Sequence, residues 1–341
     1  MKLLIITQKV DNQDSILGFF HRWIEEFAKH CEQIVVICLE KGEYNLPSNV
    51  RVLSLGKEGR QSRAKYLNNF LKYIHQEKDN YDVVFVHMNP IYVVLGGLFW
   101  SIWHKKIALW YTHKSVDLKL RLAEKLSDVV FTASKDSFCL KSNKVIVTGH
   151  GIDTDEFRVK SSEFGDTKDE FNILSVGRLS IIKNQLLLVK FFKNIKDQTQ
   201  KKIKLTIIGG PVTNKDKEYE KEIRDYVMQN GFFDSVKFVG AISQDRMVGY
   251  YSQSNLLINL SHTGSMDKDV LEAASCNIDI LTSNKAYQDE LPLENTVEFD
   301  EQKIKEKLIK KIEHPEEVFL RKLIQEKHSL PNLIQKIISK L

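Results

Sequence analysis

Three charged side chains in the second half of the chain have the types and spacing to hold a nucleotide sugar. Arg178 and Lys183 lie in VGRLSIIKN (176–184), just past the end of an apolar run, FNILSVG (171–177). Glu272 lies in SHTGSMDKDVLEAAS (261–275), one turn inside a predicted helix that follows a second such run, NLLINLS (255–261). A guanidinium and an ammonium suit the negative charge of a diphosphate, and a carboxylate accepts from adjacent sugar hydroxyls. Ligands of parallel α/β sheets collect outside the carboxyl ends of the strands, where these residues are predicted to sit. The combination points to glycosyl-transfer chemistry.

The elements that must position them are legible as alternating short apolar and longer amphipathic segments. KLLIIT (2–7), QIVVICL (33–39), VRVLSL (50–55), DVVFVHM (82–88), IALWYT (107–112), DVVFTAS (128–134) and KVIVTG (144–149) read as strands without polar alternation, as expected when both faces are covered. Segments 17–30, 62–77, 91–104 and 135–142 read as helices. After FRVKSSEFGDTKDEF (157–171) the pattern restarts, with strands at 171–177, KLTIIGG (204–210), VKFVG (236–240), 255–261 and IDILTS (278–283). Helices are predicted near 184–197, 215–230, 243–253 and 269–276. The expected fold class is α/β, with two doubly wound, Rossmann-like domains facing across a cleft. Residues 1–156 form the first domain, 157–170 a linker, 171–328 the second, and 329–341 a helix set off by Pro331 that returns to the first domain.

Composition narrows the function classes. A chain of 341 residues with 42% apolar content can bury two cores. Cys31, Cys38, Cys139 and Cys276 form no C-x-x-C pair or zinc spacing, consistent with reduced thiols in a cytoplasmic protein. The amino terminus, MKLLIITQKVD, is too short in apolar residues for a signal-peptide core and suits a buried strand. The longest nearly apolar run, IYVVLGGLFWSIW (91–103), falls short of the roughly twenty residues of a membrane span. Residues 1–150 hold 21 Lys and Arg against 15 Asp and Glu, so the first half carries the excess positive charge. With no aromatic or RNA-motif interleaving this reads as solvated helix faces, and no nucleic-acid partner is expected. Anionic lipid or an anionic acceptor is the alternative use of that charge.

Four motifs in order then carry a resemblance. VIVTGHGIDTDEF (145–157) is similar to an interdomain "NGVD…F" signature, VGRLSIIKNQLLLV (176–189) to a "GRL…KG…LL" donor motif, and LTIIGGP (205–211) to an "L.I.G.GP" strand; Glu272 matches the second glutamate of an E-x7-E motif. The chain resembles glycosyltransferase family 4, retaining enzymes of the GT-B fold, over nearly its whole length. The resemblance implies that Arg178 and Lys183 contact the donor diphosphate and that Glu272 holds the ribose hydroxyls. It implies Gly209 and Gly210 in the donor loop, Gly18 in the first loop near phosphate and acceptor, and His113, at the end of IALWYTHK (107–114), toward the donor sugar. Here the sequence departs from the family: Gly264 stands where the first glutamate of the motif belongs, in TGSMDK (263–268). That glutamate contacts the transferred sugar, so the sugar remains open. Asp267 and Lys268 are the expected substitutes, and backbone amides from Gly264 through Ser265 to Asp267 suit phosphate.

Three other signals are set aside. Asp153 and Asp155 form D-x-D, the metal signature of another transferase fold, but follow GHGI at the domain boundary; capping of a short helix is expected, with no cofactor and no essential metal. GHGIDT (149–154) begins like a dinucleotide fingerprint yet lacks its third glycine. Trp100 and Trp103, in LFWSIWHKK (98–106), read as a helix packed on the sheet, with a peripheral membrane contact as the other reading. The expected function is metal-independent retaining transfer of a sugar from a nucleotide sugar to a glycan or lipid-linked acceptor, in surface polysaccharide or glycolipid synthesis. Departing phosphate would help deprotonate the incoming hydroxyl, and domain closure would exclude water. An epimerase of the same fold, or a silent sugar-nucleotide-binding partner of another transferase, are the alternatives.

Overall fold

The computed structural model describes residues 1–159, 170–199, 201–262, 265–316 and 318–341. The chain divides into two compact units, Met1–Asp153 with Lys327–Leu341, and Thr154–Glu326. The expected linker falls mostly on 160–169, outside the described residues.

The first unit is built on strands β1 (Lys2–Val10), β2 (Gln33–Lys41), β3 (Val50–Ser54), β4 (Val83–His87), β5 (Lys106–Trp110), β6 (Val129–Thr132) and β7 (Val145–Val147). They form one sheet of order β3-β2-β1-β4-β5-β6-β7, parallel throughout. Side chains alternate between its faces, so an unbroken apolar run supplies two cores at once. Leu3 and Ile5 join one core with helix α1 (Phe19–Ala28), while Leu4 and Ile6 join the other with helices α2 (Arg63–Gln76), α3 (Pro90–Ile102) and α4 (Leu118–Leu126). Strand β1 is longer than the expected 2–7. Its last residues pair with β2, where Lys9 bonds to Asp14 at 2.7 Å and meets Asp11 at 3.0 Å.

Two expectations for this unit fail. The predicted helix over 135–142 is a 3-10 turn at Lys135–Ser137 only, closed by the Ser134 and Ser137 hydroxyls at 2.7 Å. Its polar residues bond locally, and Phe138 and Leu140 give too little apolar surface to hold a longer helix. Among the described residues no helix follows directly on Asp153 for it to cap: residues 154–156 form a turn, and Asp153 accepts from Arg22 Nη2 at 2.7 Å.

The chain's end belongs to the first core. Pro331 sits in the first turn of helix α11 (Leu330–Ile338), the position where its missing N–H costs nothing. Leu333, Ile334 and Ile337 are buried with Trp23, Ile24 and Phe27 of α1. The segment is stitched in by Ile152 N–H donating to the His328 carbonyl at 2.7 Å and Leu330 N–H to the Ile152 carbonyl at 2.8 Å. This accounts for the glycines of GHGIDT. Gly149 has φ +86°, and a Cβ there would lie 2.3 Å from the Lys327 carbonyl oxygen.

The second unit holds β8 (Glu170–Val176), β9 (Lys202–Ile208), β10 (Val236–Gly240), β11 (Leu256–Asn259) and β12 (Asp279–Thr282), in the parallel order β10-β9-β8-β11-β12. Helices α5 (Gln185–Lys196), α6 (Asn214–Gln229), α7 (Met247–Ser252), α8 (Lys268–Ser275), α9 (Glu301–Glu313) and α10 (Arg321–His328, its last two residues in the first unit) complete the set. Leu188, Val189, Ile223, Ile304 and Leu308 pack on the strand residues Ile173, Leu205 and Ile258. With all strands parallel, every carboxyl end lies on one edge.

Candidate functional site

The strand ends on that edge are tied to each other by backbone. Gly177, Gly209 and Gly240 close β8, β9 and β10 with φ of +129°, +130° and +82°. Gly209 N–H donates to the Gly240 carbonyl at 2.9 Å, and Leu179 N–H to the Gly210 carbonyl at 3.1 Å. A Cβ on Gly209 would stand 2.0 Å from the Gly177 carbonyl oxygen, so a glycine is needed for the two loops to meet.

The loop after Gly177 carries both predicted cations. Arg178 is 47% exposed, its Nε 4.0 Å from Asp216 Oδ2, which leaves the guanidinium only loosely tethered. Lys183 ends a one-turn 3-10 helix, and Asn184 follows in the left-handed region at φ +55°, its amide donating to the Leu260 carbonyl at 2.8 Å. That bond fixes the loop to the end of β11. Lys183 Nζ lies 2.5 Å from Asp267 Oδ1, with both side chains largely covered.

Around this pair gathers a group of residues that the sequence reading largely missed. Asp267 Oδ2 accepts from the Asn259 amide at 3.0 Å and the Asn284 amide at 3.3 Å. Asn284 also donates to the Ser265 carbonyl at 2.8 Å, and the Tyr287 hydroxyl donates to the Asp267 carbonyl. Asp269, buried beside them, accepts a long 3.4 Å contact from Asn259. Burial pushes its carboxyl up to about 7; Lys183 opposes the rise, and Asp267 and Glu272 add to it.

Glu272 is buried on α8, as its small and apolar neighbours suggest. Its Oε2 accepts from the Tyr251 hydroxyl at 3.0 Å; Oε1 lies 3.2 Å from Lys268 Nζ and 3.4 Å from Gln244 Nε2. Burial first, then Glu272 and Asp269, raise the Tyr251 phenol well above its ordinary value, so it stays a proton donor to Glu272. The far end of α8 is anchored as well. Ser275 Oγ donates to the Phe157 carbonyl at 2.8 Å, and Arg321 Nη1 donates to the carbonyls of Phe157 and Ser275 at 2.8 and 2.9 Å.

Lys183, Ser265, Asp267, Lys268 and Glu272 are thus brought together, with Arg178, Gly209 and Gly210 on the same edge. Gly264 lies outside the described residues. Gly18 and His113 belong to the first unit. Gly18 opens α1 at φ −53°, and a Cβ there would lie 2.5 Å from the Asp14 carbonyl oxygen, so its own loop requires the glycine. His113 is exposed beyond β5 and accepts from Ser115 N–H at 3.0 Å through Nδ1. Among the described residues no group of three or more His, Cys, Asp or Glu is arranged to hold a metal ion.

Residues 156–322, which span all of this second edge, match the family model for glycosyl transferases group 1. The second unit is a group 1 glycosyl transferase domain. A D-inositol 3-phosphate glycosyltransferase of Acidothermus cellulolyticus is 26% identical over 156 residues, 43% of this chain and 35% of that protein. The match therefore spans about a third of the relative's length. Solved structures of the Anabaena protein HepE, one in complex with UDP, superpose with a TM-score of 0.78 at 16% identity, covering 100% of this chain and 99% of that one. Sucrose-phosphate synthase from Thermosynechococcus elongatus gives 0.77 at 13% identity, over 100% and 98% of the two chains. Around the group 1 domain the whole chain therefore has the GT-B fold, two doubly wound α/β units.

Proposed function

We propose that this chain is a retaining glycosyltransferase that moves a sugar from a nucleoside diphosphate sugar to a glycan or lipid-linked acceptor in surface polysaccharide or glycolipid synthesis. The observation that carries the reading is that one strand edge of a group 1 domain holds both the Lys183 ammonium, paired with Asp267, and the α8 carboxylate Glu272, held by Tyr251. Breaking the bond from anomeric carbon to phosphate leaves negative charge on the diphosphate. A fixed ammonium and a guanidinium stabilise that charge more in the transition state than in the bound donor. Arg178, loosely held, is free to close on phosphate, whereas Lys183 must first leave Asp267. Ribose hydroxyls would replace the two long contacts on Glu272 Oε1, while Tyr251 keeps Oε2 in place.

Retention follows if the departing phosphate oxygen takes the acceptor hydroxyl's proton while the hydroxyl oxygen bonds to the anomeric carbon on the face the phosphate leaves. His113 keeps the role toward the transferred sugar that the resemblance implies. The reading needs no metal, and the ion pair of Asp153 with Arg22 supports this, because it occupies the first carboxylate of the D-x-D. HepE was solved with UDP and with UDP-glucose, which makes uridine donors the first to try. A cytoplasmic enzyme at a membrane surface suits such donors and acceptors.

The test is calorimetric titration of the chain with UDP, GDP, ADP and their sugar conjugates, with and without EDTA. Binding of one nucleotide that survives EDTA, followed by transfer from its sugar conjugate, is the expected result. Failure of every nucleoside diphosphate to bind would overturn the reading.

A further inference from the structure

The two helical layers of the first unit differ in what they show to solvent. Helices α2, α3 and α4 pack their inner sides into one core, through Phe70 and Ile74, Tyr92 and Trp100, and Leu120 and Ala123. Their outer sides therefore point the same way, away from the sheet. On them stand six large apolar side chains, Leu67, Leu98, Phe99, Ile102, Leu118 and Leu122, with Leu98, Ile102 and Leu118 exposed by 65%, 71% and 71%. On the opposite layer, α1 and α11 carry none of the chain's exposed large apolar residues.

Charge follows the same division. Helix α2 carries Arg63, Lys65 and Lys72 and no carboxylate, α3 no charge at all, and α4 Lys119, Arg121 and Lys125 against Glu124 alone. Glu124 is engaged by Ser142 at 2.6 Å, and Asp117 caps α4 by accepting from Leu120 N–H at 2.8 Å. At the end of α3, Lys106 is exposed and Lys105 lies over the Tyr81 ring. The apolar stripe of α3 is thus flanked on both sides by helices of positive charge.

We infer that this layer is a docking surface for an anionic lipid bilayer. The α3 residues Leu98, Phe99 and Ile102 would enter the boundary between headgroups and acyl chains, and the lysines and arginines of α2 and α4 would lie at headgroup depth. Trp100 takes no part, being fully buried with its Nε1 donating to the Tyr81 hydroxyl at 3.1 Å. Trp103, half-buried with its ring 5.8 Å from Phe99, borders the stripe. No helix among the described residues is long and apolar enough to cross a membrane, so the attachment is lateral. The inference concerns the first unit alone and does not depend on the transferase reading.

Each lysine or arginine held at an anionic leaflet strengthens binding by about fivefold. The experiment is flotation of the full chain with vesicles of phosphatidylcholine alone or with one quarter phosphatidylglycerol. The chain is expected to float with the anionic vesicles and not the neutral ones, and to be released at about 0.5 M salt, where screening is nearly complete. Lys119→Glu with Arg121→Glu, and separately Phe99→Ser with Ile102→Ser, should each weaken binding at least tenfold without changing the far-ultraviolet circular dichroism. The same charge reversal at Lys215 and Lys217 of α6 should leave it unchanged. No flotation with anionic vesicles, equal losses in the α6 control, or patch variants that bind as the parent does would overturn the proposal. So would sedimentation showing a dimer that Phe99→Ser dissociates, since the patch would then bind a second copy.

Discussion

At the carboxyl edge of the first sheet one strand ends in a buried imidazole, whereas at the corresponding edge of the second the buried groups include carboxylates. His87 ends β4, stacked on Phe20 at 3.9 Å, with Thr7 Oγ1 3.2 Å from Nδ1. Burial, aided by His150, holds it neutral by lowering its pKa to about 3. Asp269 lies instead among Asp267, Glu272 and Lys183, in a group whose charges are balanced only within the site. A neutral ring packed on a ring needs no ligand. A cluster of three carboxylates facing two ammoniums, Lys183 and Lys268, leaves charges that a diphosphate and a ribose could rearrange. The same architecture therefore ends in a packed edge in one unit and a polar, rearrangeable edge in the other.

The contrast is broken most severely at Lys183. Lys183→Ala should lower the rate of sugar transfer by about 10²- to 10³-fold, the loss seen when one preorganised donor to a developing oxyanion is removed. An unaltered single-turnover rate would remove the polar edge from the chemistry. Next in size, Glu272→Ala should weaken nucleoside diphosphate binding by about 10- to 100-fold, as expected for hydrogen bonds to a charged group. His113→Ala should leave that affinity intact and reduce turnover; equal effects of the two on binding would contradict their separate roles. A smaller change of opposite sign is expected for Asp267→Asn. With Lys183 released from its 2.5 Å partner, a diphosphate should bind more tightly, by roughly tenfold or less, in the same titration.

Smallest is a pair of opposed pH effects on stability. The Asp269 pKa is raised on folding, so its stabilising contribution is present below about 3.8 and is lost as pH rises toward 7. Asp269→Asn should therefore raise the calorimetric midpoint at pH 8, by about 3 °C. The His87 pKa is lowered, so its contribution is present above about 6.5 and is lost as pH falls toward 3. Trp23, Trp100, Trp103 and Trp110 all belong to the first unit, so tryptophan emission follows that unit alone. An acid titration of emission should shift to lower pH in a His87→Phe variant and stay put in Asp269→Asn.

Much of this was legible in the sequence, for identifiable reasons. Strands covered on both faces leave continuous apolar runs, and those runs located the strands of both sheets. Helix α4 escaped because LKLRL alternates leucine with cations, a period of two that imitates a strand, although Leu118 and Leu122 are exposed on one side of a helix. Arg178, Lys183 and Glu272 could be found because each lies in a local motif. Asn259, Tyr251, Asn284 and Tyr287 could not, since they reach the site from separate segments and each is an ordinary residue in its own stretch. Asp269 had a local clue in the D-x-D with Asp267, but only packing could show how deeply it is buried.

The return of α11 to the first core makes one unit discontinuous and the other an insertion within it. During synthesis, residues 154–326 can reach their native form before the first unit can, because Trp23, Ile24 and Phe27 wait for Leu333, Ile334 and Ile337, which emerge from the ribosome after residue 326. A fragment ending at residue 153 would present that uncovered groove to solvent, whereas joining 1–153 directly to 327–341 keeps the core whole. Exchange of the inserted unit between such chains, by recombination or by an engineer, then requires two junctions and not one.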